Sequence, residues 1–159
     1  MIRRILFVCT GNICRSPLAE ALMRRALERR GIHSIEVTSA GTGAWDGAPA
    51  SEGAYLVALE RGIDLSAHRA RLLTADLVRQ ADLVLTMARH HRARVDELGG
   101  EGRVHVLGEY AGREGDDAEV SDPFGGKLDV YRETCRQLEE FIEAVVDRLV
   151  KEEPRGDRR

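Results

Sequence analysis

Apolar positions change their period repeatedly along this chain, and the changes mark its elements. Ile5-Leu6-Phe7-Val8 is an unbroken apolar run behind Arg3 and Arg4, so Ile2–Val8 reads as a buried strand. Leu18, Ala21, Leu22, Ala26 and Leu27 then recur at helical spacing. That predicts a helix over Leu18–Arg30, with Pro17 in its first turn, Ser16 as cap and Gly31 as stop. The alternation continues with a strand over Ile35–Ala40 and a helix over Ala50–Arg61, halted by Gly62. A short helix over Leu72–Arg79, with Thr74 as its start, precedes a strand over Ala81–Met87 centred on Leu83-Val84-Leu85. Ala88–Leu98 reads as a helix, Val104–Leu107 as a strand, and Asp129–Val150 as a long terminal helix. Val130, Leu138, Phe141, Ile142, Val145, Val146 and Leu149 supply the apolar faces of that helix. Gly108–Ser121, rich in glycine and acid, reads as a mobile loop.

Strands alternating with helices imply an α/β fold: one domain, a four-stranded parallel sheet, right-handed crossovers and helices on both faces. Residues 1–150 form that domain, and 151–159 form a charged, proline-containing tail expected to fray. With 159 residues and 43% hydrophobic content, the chain can bury a sizeable core.

Charge narrows the partners. The 24 basic residues are mixed with 27 acidic ones for a net −3, so neither nucleic acid nor a membrane is expected as partner. No apolar stretch approaches the ~20 residues of a membrane span. The apolar run after Met1-Ile2-Arg3-Arg4 is too short for a secretory leader. Cysteines number three, an odd count that speaks against a disulfide framework and for a reducing, cytoplasmic setting.

The chemistry gathers between the first strand and the first helix, in Cys9-Thr10-Gly11-Asn12-Ile13-Cys14-Arg15-Ser16. A strand, a tight turn and a helix N-terminus make an anion site. Gly11 permits a positive φ and Asn12 tolerates one, so successive amides can point at one centre. Cys9 lies at the floor of such a nest. A cysteine facing helix N–H groups and a guanidinium ionises below the usual value of about 8.5. Ser16 is a candidate hydroxyl donor to its sulfur. Arg15 offers a planar fork for two oxygens of one phosphate. A thiolate beneath a bound phosphate is placed for in-line attack and a cysteinyl-phosphate intermediate. Asp122, its approach stiffened by Pro123 after the long loop, is the candidate to protonate the leaving oxygen and later activate water, the other reading being that Asp122-Pro123 merely starts a turn.

Other readings of these residues are weaker. Zinc needs a third and fourth ligand that no nearby spacing supplies. The loop matches neither nucleotide-binding glycine pattern. A buried, inert Cys9 would leave the cluster of Gly, Asn, Arg and Ser around it without purpose. His90 and His91 point to different helix faces and make a poor metal pair. Arg24, Arg25, Arg29 and Arg30 read as a solvated face, Asp129 as a helix-start residue and Cys135 as core. Cys14 is either a reversible disulfide partner for Cys9 or a small buried filler.

Cys-x-x-x-x-x-Arg-Ser, filled by Cys9 to Ser16, with the late Asp122-Pro123, resembles the low-molecular-weight protein tyrosine phosphatases over nearly the whole chain. The resemblance implies a phosphatase domain with Cys9, Arg15 and Asp122 as catalytic residues. Thr10, Gly11, Asn12, Ile13, Cys14, Arg15 and Ser16 then bind phosphate. It implies a phosphorylated protein as substrate, inorganic phosphate as product, and no metal or other cofactor. Ser66-Ala67-His68-Arg69-Ala70-Arg71 looks like a family segment. His68 could be a catalytic base but reads rather as structural, holding the phosphate loop near Asn12. The loop 43–49 would lie at the cleft mouth, with Trp45 and Phe124 as walls. Asp122-Pro123-Phe124-Gly125-Gly126 resembles the protein arginine phosphatase branch, whereas Ile13, where that branch has threonine, resembles the tyrosine branch. Phosphotyrosine is the expected substrate because position 13 adjoins the reacting group, with phosphoarginine as the alternative. Arsenate reduction would need a better redox partner than Cys135. A sugar-transport thiol-phosphate carrier would not need Arg15 with Asp122. A non-catalytic phosphopeptide-binding module would not need Cys9 or Asp122.

Overall fold

A computed structural model describes residues 1–152. Four strands, β1 (Arg4–Cys9), β2 (Glu36–Gly41), β3 (Leu83–Thr86) and β4 (Val104–Val106), form one sheet in the order β2-β1-β3-β4. All pairings are parallel, Phe7 standing opposite Ser39 on one side and Leu85 on the other. The helices are α1 (Arg15–Arg29), α2 (Glu52–Glu60), α3 (Ala75–Gln80), α4 (Arg89–Glu97), α5 (Leu107–Tyr110) and α6 (Leu128–Glu152).

The two-residue period of the strands divides the core. Ile5, Phe7, Leu83 and Leu85 face a layer built from α1, α2 and α6. Leu6, Val8 and Val84 face a smaller layer with Val78 of α3 and Val95 of α4. Helices therefore cover both faces, as the unbroken apolar runs require. The terminal helix contributes Tyr131, Cys135, Leu138, Ile142, Val145 and Leu149 at spacings of three and four. Tyr131, not Val130, begins this buried stripe; Val130 is exposed. The helix continues through Lys151 and Glu152, and residues 153–159 of the expected tail lie outside the described residues.

Two local expectations are corrected. Ser16 does not cap α1. The helix begins earlier, at Arg15, with Cys14 at the N-cap position, and the Ser16 hydroxyl turns to the sulfur of Cys9. The stretch 108–121 is not a featureless loop. It carries the end of α5 and a 3₁₀ turn over Gly115–Ala118, and Tyr110, Ala118 and Val120 are buried. Gly108 permits this packing, since a Cβ there would collide with the backbone of Ala118. Val120 N–H donates to Met87 O at 2.9 Å, tying the segment to the end of β3. Val120 is thus anchored two residues before Asp122.

Candidate active site

The loop from Cys9 to Arg15 leaves the C-terminal edge of β1, a central strand flanked by β2 and β3. Open parallel sheets bind ligands at this edge. Asn12, at φ 56°, is the sole non-glycine residue with positive φ among the described residues. Its fully buried side chain makes that conformation stable. Asn12 Nδ2 donates to Ser16 Oγ at 2.8 Å and Ser39 Oγ at 2.9 Å, while Oδ1 accepts from Arg71 N at 2.9 Å. The imidazole of His68 donates from Nε2 to Asn12 O at 2.6 Å. His68 is thus structural, as expected. Gly41 makes room for the turn, because a Cβ there would strike Thr10 O and Asn12 N.

These bonds have a direction. Ser39 Oγ donates to Glu20 Oε1 at 2.6 Å, so it accepts from Asn12. Ser16 Oγ also accepts from Asn12, which leaves its hydrogen for Cys9 Sγ, 2.9 Å away. Asn12 N–H lies 3.3 Å from the same sulfur. A hydroxyl and a backbone amide therefore converge on Cys9 Sγ, both as donors.

Arg15 is 4% exposed yet is not consumed by the protein. One nitrogen donates to Val120 O at 2.9 Å, and another lies 3.6 Å from Asp122 Oδ2. Its Nε is buried and has no hydrogen-bond partner among the described residues. An unpaired buried guanidinium N–H is costly and calls for an acceptor. Asp122 is half exposed, and its other oxygen accepts from Phe124 N at 3.1 Å.

Cys9, Thr10, Gly11, Ile13, Cys14, Arg15, Asp122 and Phe124 line a single cleft of about 190 Å³. The structure thus brings the three expected catalytic side chains together with most of the cradle. Asn12 and Ser16 sit beneath it, both fully buried. Phe124 forms a wall. Trp45 is 84% exposed and does not line the cleft, so the expected second wall is absent from this arrangement. Asp129, at the start of α6, pairs with Arg132 at 2.8 Å and lies outside the cleft.

Cys14 is a free thiol, 3.1 Å from Ser51 Oγ and 3.5 Å from Tyr131 Oη. Burial raises it above the ordinary thiol value, against those two hydrogen bonds. Cys135 is fully buried and raised to about 11 by burial, as befits core. Sequence reasoning missed Ser39, Ser51, Val120, Tyr131 and His91 as supports of the site. His91 was legible in part: it lies four residues before buried Val95, on the same face of α4.

The chain matches the family model for low molecular weight phosphotyrosine protein phosphatases over residues 4–155. It is 40% identical over 150 residues to the protein-arginine-phosphatase of Bacillus subtilis, covering 93% of this chain and 97% of that one. It is 38% identical over 151 residues to EpsP of Ralstonia nicotianae, a probable low molecular weight protein-tyrosine-phosphatase, covering 94% and 97% respectively. A solved structure of the YwlE arginine phosphatase, a mutant with a phosphorylated active-site serine, superposes with a TM-score of 0.87. It shares 39% identity and covers 94% of this chain and 97% of its own. The fold is a phosphatase fold with its phosphate loop after the first strand. The chain belongs to the low molecular weight phosphotyrosine protein phosphatase family.

Proposed function

We propose that this protein hydrolyses phosphotyrosine on protein substrates, with Cys9 as nucleophile, Arg15 as phosphate clamp and Asp122 as acid and base. One observation carries the reading: the buried Nε of Arg15 lacks an acceptor at the edge of a cleft whose floor is Cys9. A phosphoryl group supplies two oxygens to that guanidinium and its phosphorus to the sulfur. The sulfur–phosphorus bond forms as the phosphorus–oxygen bond to the aryl group breaks. The leaving oxygen takes its proton from Asp122. Water then attacks phosphorus, gives its proton to Asp122, and displaces the sulfur to release inorganic phosphate. The phosphorylated serine named for the YwlE mutant supports a phosphoenzyme in this family. A cytoplasmic location accords with three free cysteines and a nucleophile that oxidation would disable. No helix of the described residues is long and apolar enough to cross a membrane.

Ile13 and Phe124 support the aryl substrate. Both line the cleft, and neither side chain carries a polar atom for a guanidinium. The protein-arginine-phosphatase relative and the Phe124-Gly125-Gly126 sequence favour phosphoarginine as the second reading. Phosphate release from phosphotyrosine and phosphoarginine peptides, measured side by side, separates them. Faster release from phosphotyrosine is expected, and the reverse order overturns the choice.

A further inference from the structure

A groove of about 640 Å³ runs between α1, the end of β2 and residues 62–71, apart from the 190 Å³ cleft. Its size is that of a small-molecule site, and its lining mixes apolar surface with four arginines and His68. Every arginine of α4 and α6 pairs with a carboxylate. In this groove Arg24 is met by Glu20 at 2.7 Å, but Arg25, Arg69 and Arg71 have no ion-pair partner among the described residues. Their side-chain hydrogen bonds go to carbonyl oxygens: Arg25 to Arg61, Arg69 to Ser66 and His68, and Arg71 to Ser39. Four arginines against Glu20, Glu28 and Asp64 leave one positive charge in excess there, although the chain is net −3.

We propose that this groove is a second anion site, for a polyphosphate chain, and that its occupant weakens the catalytic cradle. The class follows from the donors. Several guanidinium groups along one trough suit oxygens on successive phosphates better than a single carboxylate. The coupling follows from shared residues. Ser39, His68 and Arg71 line the groove, and each also bonds Asn12, which holds the cradle's turn. An anion that draws Arg71 from Ser39 O and Arg69 from His68 O loosens two of the residues that hold Asn12. Catalytic turnover then falls.

The test titrates the full chain with inorganic tripolyphosphate and, in parallel, with ATP, by calorimetry, with orthovanadate added to fill the cradle. One saturating event per chain is expected, abolished in Arg25→Gln/Arg69→Gln, which should still melt cooperatively and whose own ligand-free kcat is the reference for its titration. Equal affinities assign the site to the phosphate chain alone, and tighter ATP assigns it to a nucleotide. In turnover of an aryl phosphate, the wild type should lose kcat by about twofold or more at saturating ligand, and the double variant should not. A ligand acting only in the cradle raises KM and spares kcat, which overturns the proposal. So does binding that persists in the double variant, or that never saturates and simply follows ionic strength.

Discussion

His91 Nε2 lies 2.9 Å from Thr10 Oγ1, and the bond between them can run in only one direction. The Ala88 N–H donates to His91 Nδ1 at 3.1 Å, so the ring proton is on Nε2 and is donated to Thr10. A fully buried, neutral imidazole thereby fixes the rotamer of the first cradle residue after Cys9. Burial, then the charges of His90 and Arg15, push His91 down to about 3 from its ordinary 6.5.

The sign of the resulting pH dependence is set. An unfolded chain protonates this histidine near pH 6.5, whereas the folded chain resists until about 3. The stabilisation is full above pH 6.5 and drains as pH falls, at about 1.4 kcal/mol per pH unit. Burial also lowers His105, which adds a smaller loss in the same direction. Denaturation midpoints measured from pH 7 to pH 5 should fall in the wild type. In His91→Asn the same curve should be flatter, and an undiminished slope would remove His91 as its cause.

Arg15→Lys should lose about 10²–10³-fold in kcat/KM on an aryl phosphate. The ammonium keeps the charge but cannot hold Val120 O while offering a planar pair of N–H groups to phosphate. Kinetics close to wild type would reduce Arg15 to a structural cation.

Asp122→Asn should slow turnover by roughly 10²–10⁴-fold for a leaving group that needs a proton. The loss should shrink for an aryl phosphate whose phenoxide leaves unaided. A series of substituted phenyl phosphates makes the comparison. If the loss does not vary across the series, Asp122 does not protonate the leaving oxygen.

Much of this was legible in local sequence. The buried strands announce themselves by Ile5-Leu6-Phe7-Val8 and Leu83-Val84-Leu85, because a strand covered on both faces needs no polar side. Cys9, Asn12, Arg15 and Ser16 were legible because one turn carries them all. The supports that come from a distance were not. Val120 O reaches Arg15 across 105 positions, through a backbone atom that carries no side-chain signature. The glycines and acids of 108–121 concealed the apolar anchors Tyr110, Ala118 and Val120. Trp45 is not legible as water-facing, because an aromatic residue beside glycines has the same sequence signature whether it faces a cleft or water.

Ile13→Thr should move preference from phosphotyrosine toward phosphoarginine. Ile13 lines the cleft two residues before Arg15, close to where the linking atom of the substrate must lie. Its backbone is anchored independently, since Ser51 N–H donates to Ile13 O at 2.8 Å. Threonine keeps the β-branch, so the turn should hold its shape. The hydroxyl adds the one polar atom that the rim lacks at this position. Gly125, at φ 81° with open space where a Cβ would be, adds no second aromatic after Phe124. A hydrogen bond to a charged partner contributes about 1.5–3 kcal/mol, so the ratio of kcat/KM for the two substrates should shift by roughly 10- to 100-fold. The parent and the variant must be assayed on both substrates. If the ratio stays fixed while both activities survive, position 13 does not read the group that phosphorus is leaving, and the choice between nitrogen and oxygen is made by the acid loop.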